Sequence, residues 1–377
     1  MNETLQNLMR EATRLTQSGN LKEATQVIQR ALGDAGRAPT PPVTTPPSPA
    51  VTGTPPIILD GCVFEVSNDE AAKSKAHSPE ETQAQAMYAS AGKRNSNPLG
   101  EFIDGSHTHA SLTRRYKLYT PPGSFGENLP LVVMLHGCTQ NPDDFAAGTG
   151  MNELARSQGC YVLYPEQSAN ANPQRCWNWF KHNHQSRGRG EAALLASMTL
   201  EVMQGQGMDA RRVYIAGLSA GGAMAAIVAA AYPEIFAAVG VHSGLAVGAA
   251  GNFAEALAAM KSGAAVNKTT VSTSAVPAIV FHGDQDRTVH PRNGEQVIAA
   301  LQADGVERLE QGISTQGRSF TRSCHGRNGA DFAELWVLHG GGHAWSGGSA
   351  TGSYTDPSGP DASAEMLRFF RDHVKPV

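Results

Sequence analysis

The chain lacks any run of the roughly 18 unbroken apolar residues that a membrane span requires. Its opening stretch, MNETLQNLMREATRLTQSGNLKEATQVIQR, is polar and charged throughout, without the apolar core of a secretory signal. These features predict a cytoplasmic location. A net charge of −4 offers no basic face for nucleic acid and no acidic solvating tail, so partners that bind by charge are not expected. Five cysteines are an odd number and far too few for a disulfide scaffold. No CxxC pair occurs, so spacing suggests no zinc site, and no cofactor is expected. The His182 and His184 pair in KHNHQ has no acidic or thiol neighbour and reads as solvent-exposed rather than metal-binding.

What is present is an ordinary globular balance, 40% hydrophobic and 17% charged, over 377 residues. That length accommodates one large α/β domain with attachments. Leu5, Leu8, Met9, Ala12 and Leu15, then Leu21, Ala24, Val27, Ile28, Ala31 and Leu32, recur at helical spacing around the turn residues QSGN. A small helical hairpin is therefore expected over 1–35, either a docking element or a solubilising appendage. Proline and threonine crowd 36–58, where locked φ angles and missing amide hydrogens predict a semi-extended linker. A weakly patterned connector follows over 59–99.

The character changes from about residue 100, where a catalytic domain over 100–377 is expected. RRYKLYTPP alternates, whereas LPLVVMLHG, CYVLYPEQ, RRVYIAGLS, FAAVGVHSG, AIVFHGDQD and FAELWVLHGGGH are apolar runs that stop at glycine or polar clusters. Helical stretches separate several of them, including 191–203 and 223–232. Buried strands alternating with helices predict an α/β fold, a mainly parallel sheet with helices on both faces. Chemistry in such sheets gathers beyond the carboxyl ends of the strands.

Gly217-Leu218-Ser219-Ala220-Gly221 matches G-x-S-x-G between a strand and a helix. A strand-to-helix turn this sharp admits only small neighbours and presents the serine at its tip in a strained conformation. The bland alternative is a helix N-cap serine. A serine hydroxyl needs a base, and the base an orienting acid, which follow here in the order acid then histidine. VFHGDQDRTVHP offers Asp284 and Asp286; Asp286 is preferred because it lies on the loop past the strand, while Asp284 suits a loop turn. VLHGGGHAWSGG ends the last strand, and three glycines free the backbone to swing His343 over the sheet edge. His339, His242 and His282 read as core histidines. For the oxyanion, the amide of Ala220 and that of Cys138, after Gly137, are the candidate donors, with His136 shaping the loop.

With LHGCTQNPDDFAAGTGMNELA, YPEQSANANPQRCWNWF and GGGHAWSGG added to the elbow, the core resembles the poly(3-hydroxybutyrate) depolymerase family esterases. These belong to the α/β-hydrolases and shade into feruloyl and acetyl-xylan esterases. The resemblance runs from about residue 100 to the C-terminus and implies an α/β-hydrolase fold, with Ser219, Asp286 and His343 as a catalytic triad and Cys138 as an oxyanion contributor. It implies ester hydrolysis through an acyl-enzyme, with Trp177 and Trp345 lining or bordering the acyl site, although the tryptophans could equally be core. A Cys138–Cys176 disulfide would fit family-like positions but be odd in a reducing cytoplasm. Many family members are extracellular, the alternative location. Expected substrates are hydroxyalkanoate polyester or oligomers, then feruloyl or acetyl-xylan esters. A non-catalytic protein of polymer granules is the reading of another class, and the hairpin could dock the chain to such a granule.

Overall fold

The computed structural model describes residues 97–124, 128–265 and 276–376. The hairpin expected over 1–35, the linker over 36–58 and nearly all of the connector over 59–99 lie outside the described residues.

The described chain opens with β1 (Glu101–His109) and β2 (Leu112–Thr120), an antiparallel pair joined through Ala110 at φ 53°. β3 (Leu131–Leu135) leads into α1 (Pro142–Thr149) and α2 (Met151–Gln158), followed by β4 (Tyr161–Pro165). α3 (Gly190–Gln206) precedes β5 (Val213–Leu218), α4 (Ala220–Ala231) and β6 (Ala238–His242). Next come α5 (Phe253–Ser262), β7 (Ala278–Gly283) and α6 (Arg292–Ala300). β8 (Val306–Ile313), β9 (Ser319–Arg327), β10 (Ala330–Leu338), the short pair β11 (Trp345–Ser346) and β12 (Thr355–Asp356), and α7 (Ala362–Asp372) complete it.

Ten strands form one sheet in the order β1-β2-β4-β3-β5-β6-β7-β10-β9-β8. The strands from β4 to β10 in that order pair in parallel, and both flanks are antiparallel. Every residue of β3, β4, β5, β6 and β7 is buried, which explains their continuous apolar runs: helices cover both faces. Alternate side chains divide between two cores. Leu131, Val133, Leu135, Ile215 and Val241 pack with α3 and α4, including Leu195, Met198, Met224 and Val228. Val132, Met134, Tyr214, Ala216 and Phe281 point the other way, onto Phe145, Met366, Phe369 and Phe370. Each such fully buried Leu, Val or Phe contributes about 1.5–3 kcal/mol by leaving water. The mainly parallel sheet with helices on both faces is thus the architecture expected from the sequence. β1, β8 and β9 add antiparallel flanks that the apolar pattern did not reveal.

Candidate active site

β5 ends against α4 with one residue between them. Ser219 occupies that position at φ 57° and ψ −119°, a backbone region that costs a non-glycine residue on the order of 1–3 kcal/mol. The neighbours leave no room for side chains. A Cβ on Gly221 would lie 2.1 Å from the Leu135 carbonyl oxygen, and one on Gly217 would lie 2.5 Å from Gly221. The Ser219 amide donates to the His242 carbonyl at 2.8 Å, which ties the turn to the end of β6. The hydroxyl makes no hydrogen bond to a protein group among the described residues.

Strand register carries this line of termini across the sheet. Leu218 pairs with His242, His242 with Phe281, and Gly283 with Leu338. The loops that follow β7 and β10 therefore leave the same edge as Ser219. They carry Asp286 and His343, whose Nδ1 lies 2.7 Å from Asp286 Oδ2. The other carboxylate oxygen, Oδ1, accepts the amides of Thr288 and Val289 at 2.8 Å each. Asp286 also faces the His282 Nε2 at 3.4 Å, and that nitrogen reaches the Val289 carbonyl at 2.8 Å. Burial by itself would raise Asp286; hydrogen bonds from His282 and His343, the charge of His343 and the Val289 amide outweigh it. The carboxyl is held well below the usual carboxylate range.

Asp284 has a different set of partners. It binds His339 Nδ1 at 3.0 Å and the Gly340 amide at 2.8 Å, joining the β7 and β10 loops. His339 was expected within the core. It sits just past β10 instead, its side chain 40% exposed and bonded to Thr321. His242 and His282 are fully enclosed. Burial, reinforced by His282 and His343 nearby, lowers His242 to about 3, so it stays neutral, and its Nε2 accepts the Ser346 amide at 3.0 Å.

The loop after β3 lies beside the serine turn, since a Cβ on Gly137 would stand 3.6 Å from the Leu218 carbonyl oxygen. Thr139 N donates to Gln174 O, Gln140 N to Gly137 O, and Gly137 N to Gln140 Oε1. The Cys138 amide has no protein acceptor among the described residues. Cys138 is bonded to Cys176, with Cα atoms 4.2 Å apart. His136 is buried; its Nδ1 donates to the Gly137 carbonyl and its Nε2 accepts the Gln167 amide. Burial lowers it to about 4, only partly offset by the Gly137 carbonyl. Ala220 is the first residue of α4, where amides have no intrahelical partner.

Both tryptophans expected at the acyl site prove to be structural, a correction to that expectation. Trp177 is 0% exposed and donates its indole N–H to the His136 carbonyl at 3.1 Å. Trp345 is 1% exposed, packs against His242 and Phe145, and donates to Ser363 Oγ. A ring without exposed surface can brace a loop but cannot touch a ligand. Trp179 is also buried, while Phe180 is half-buried.

A polar network supports these loops and escaped sequence reading. Glu191, 0% exposed, accepts Gln167 Nε2 at 2.6 Å and the Asn178 amide at 2.8 Å, and pairs with Arg114 at 3.4 Å. Gln167 in turn donates to the Cys176 carbonyl at 3.0 Å. No linear motif marks such a network, because its members converge only in the fold. His184, expected to be exposed, instead accepts the Glu191 amide at the start of α3. Among the described residues, no three His, Cys, Asp or Glu side chains are grouped to hold a metal ion.

Residues 114–317 match the family model described as Esterase PHB depolymerase. The poly(3-hydroxyalkanoate) depolymerase C of Paucimonas lemoignei is 31% identical over 236 residues, 59% of this chain and 56% of that protein. The acetylxylan esterase A of Talaromyces purpureogenus is 28% identical over 213 residues, 51% of this chain and 53% of that protein. The chain thus spans little more than half the length of these relatives. The solved acetyl xylan esterase from Aspergillus awamori superposes with a TM-score of 0.58 at 20% identity, covering 71% of this chain and 99% of that one. This likeness, like the strand order, is that of the α/β-hydrolase fold. With more than half of its residues matched, the chain belongs to the Esterase PHB depolymerase family.

Proposed function

We propose that the protein is a serine esterase that hydrolyses carboxylic esters through an acyl-enzyme. Ser219 is the nucleophile, His343 its base and Asp286 the orienting acid. The observation that carries this reading is the His343 Nδ1–Asp286 Oδ2 contact of 2.7 Å on loops that leave the same sheet edge as the strained Ser219. The carboxylate holds the proton on Nδ1, leaving Nε2 as the acceptor for a serine proton. The free hydroxyl of Ser219 is compatible with this role, because catalytic hydrogen bonds are often long before substrate binds. The amides of Cys138 and Ala220 are the proposed oxyanion donors, preorganised by the disulfide and by the start of α4.

The proposed substrates are poly(3-hydroxybutyrate) or other hydroxyalkanoate polyester and its oligomers, in keeping with the depolymerase relative. The acetylxylan esterase relative supports a second reading, an esterase that removes acetyl or feruloyl groups from carbohydrate. A panel of 3-hydroxybutyrate oligomers, acetylated xylan and methyl ferulate separates them. Turnover of the oligomers alone supports the first reading, and turnover of the carbohydrate esters alone replaces it. A fluorophosphonate probe tests the chemistry itself: labelling that disappears in Ser219→Ala supports it. An unlabelled full chain would leave only a binding role on polymer granules. Granule docking through residues 1–58 predicts that the full chain sediments with polyester granules and that a chain lacking those residues does not.

A further inference from the structure

A second hydroxyl–imidazole–carboxylate row lies between β1 and α3. His107, only 5% exposed, places Nδ1 2.8 Å from Glu201 Oε2 and Nε2 2.9 Å from Ser197 Oγ. Ser197 and Glu201 stand one helical turn apart, so both reach the same imidazole from one face of α3. A carboxylate only accepts, which puts the neutral ring's proton on Nδ1 and leaves Nε2 to accept the serine proton. The Thr199 hydroxyl on the same helix donates back to the Leu195 carbonyl at 2.7 Å, the common use of a helical hydroxyl. Ser197 is turned toward the histidine instead.

Ser197 also borders an open groove of about 440 Å³, whose walls include His109, Leu200, Tyr232, Arg187 and Lys375. Ser219, Asp286 and His343 do not line it. Arg187 is paired with Glu234, and the Lys375 ammonium donates to the Glu234 and Ile235 carbonyls. The groove thus combines apolar surface with a guanidinium already paired and an ammonium held by backbone carbonyls, and it admits a small uncharged ester.

We propose that Ser197 is a second acylatable alcohol, with His107 as its base, Glu201 orienting that base, and small activated esters such as aryl acetates as its reagents. Ser197 Oγ bonds to the acyl carbon while its proton passes to His107 Nε2. The carbon–aryloxy bond breaks, the aryloxide takes that proton and leaves as a phenol, and a seryl ester remains. Ser197 lies in the interior of α3, where amides are committed to the helix and none is free to meet an oxyanion. Acylation expels a good leaving group, the phenol, whereas hydrolysis must expel the unactivated alcohol of Ser197. Without oxyanion donors the second step is the slower, and the ester accumulates once per chain.

The test is peptide mass mapping of full-length Ser219→Ala after incubation with excess p-nitrophenyl acetate. The conditions are those that fully acylate a control serine hydrolase. The expected result is an acetyl group on Ser197, absent in Ser219→Ala/Ser197→Ala. Adding His107→Gln lowers its rate of formation about a hundredfold or more, the usual share of a general base. Because His107 is buried, the solvent-exposed Glu201→Gln supplies a second variant, in which the rate also falls. An unmodified Ser197 overturns the proposal, as does acetylation that neither variant slows. The outcome is independent of whether Ser219 is the nucleophile of the proposed esterase.

Discussion

Gly283 and Gly341 meet backbone to backbone: a Cβ on Gly283 would stand 2.3 Å from the Gly341 carbonyl oxygen. That oxygen accepts the Gln285 amide at 2.9 Å. The loop bearing Asp286 and the loop bearing His343 are closed on each other by this contact, and a side chain at 283 would hold them apart.

Gly283→Ala is therefore expected to lose stability by about 1–3 kcal/mol, the usual cost of overpacking. The proposed esterase activity is expected to fall beyond what the lost folded fraction explains, because the carboxylate and imidazole separate. Denaturant melts compared with kcat measured well below the transition distinguish the two effects.

Replacing members of the proposed triad gives graded losses. Ser219→Ala and His343→Ala are expected to lower kcat about 10⁶-fold, and Asp286→Asn about 10⁴-fold, as for residues that act as a unit. Asp284→Asn, which alters a loop clamp, is expected to cost about tenfold or less. If Asp284→Ala were inactive and Asp286→Ala active, the acid would be reassigned.

The buried histidines set an acid limit on stability. His242 and His136 stand at about 3 and about 4 in the fold against 6.5 in the open chain. The unfolded chain binds the extra protons, so stability falls as pH drops below about 6.5 and stops falling through these groups below their folded values. Each contributes a slope of about 1.4 kcal/mol per pH unit within its window. Asp286, depressed in the fold, adds stability that is complete above the ordinary aspartate value near about 4 and fades only in stronger acid. Urea melts from pH 7 to pH 4 should trace the histidine slope, and His242→Gln should make it shallower.

The Cys138–Cys176 bridge closes a loop with a sequence separation of 38. Cys138→Ser/Cys176→Ser is expected to lower stability by about 2–4 kcal/mol. It is also expected to reduce kcat more than KM, because the proposed oxyanion amide loses its brace while the rest of the site stays in place. Steady-state kinetics of the double variant at a temperature where it remains folded provide the check.

The strands that were legible in the sequence are those buried on both faces. VYIAGL and AIVFHG read as strands because every position but His282 is apolar or small, and all are enclosed. β8, VERLEQGI, keeps Val306, Leu309 and Ile313 exposed at the sheet edge, and β1 mixes glycine, aspartate and histidine; neither has a periodicity to read. At the site, order and loop position singled out Ser219, Asp286 and His343, and the structure brings the last two into contact. The tryptophans misled because ring size says nothing about which side of a loop a ring faces. Glu191 stayed hidden because its partners Arg114 and Gln167 lie 77 and 24 positions away and meet it only after folding.

His242 holds the Ser219 amide with its carbonyl and the Ser346 amide with its ring. One fully buried residue thus anchors both the segment with the alcohol and the segment that follows the imidazole. A displacement of the β6 end would therefore move both segments together rather than one against the other.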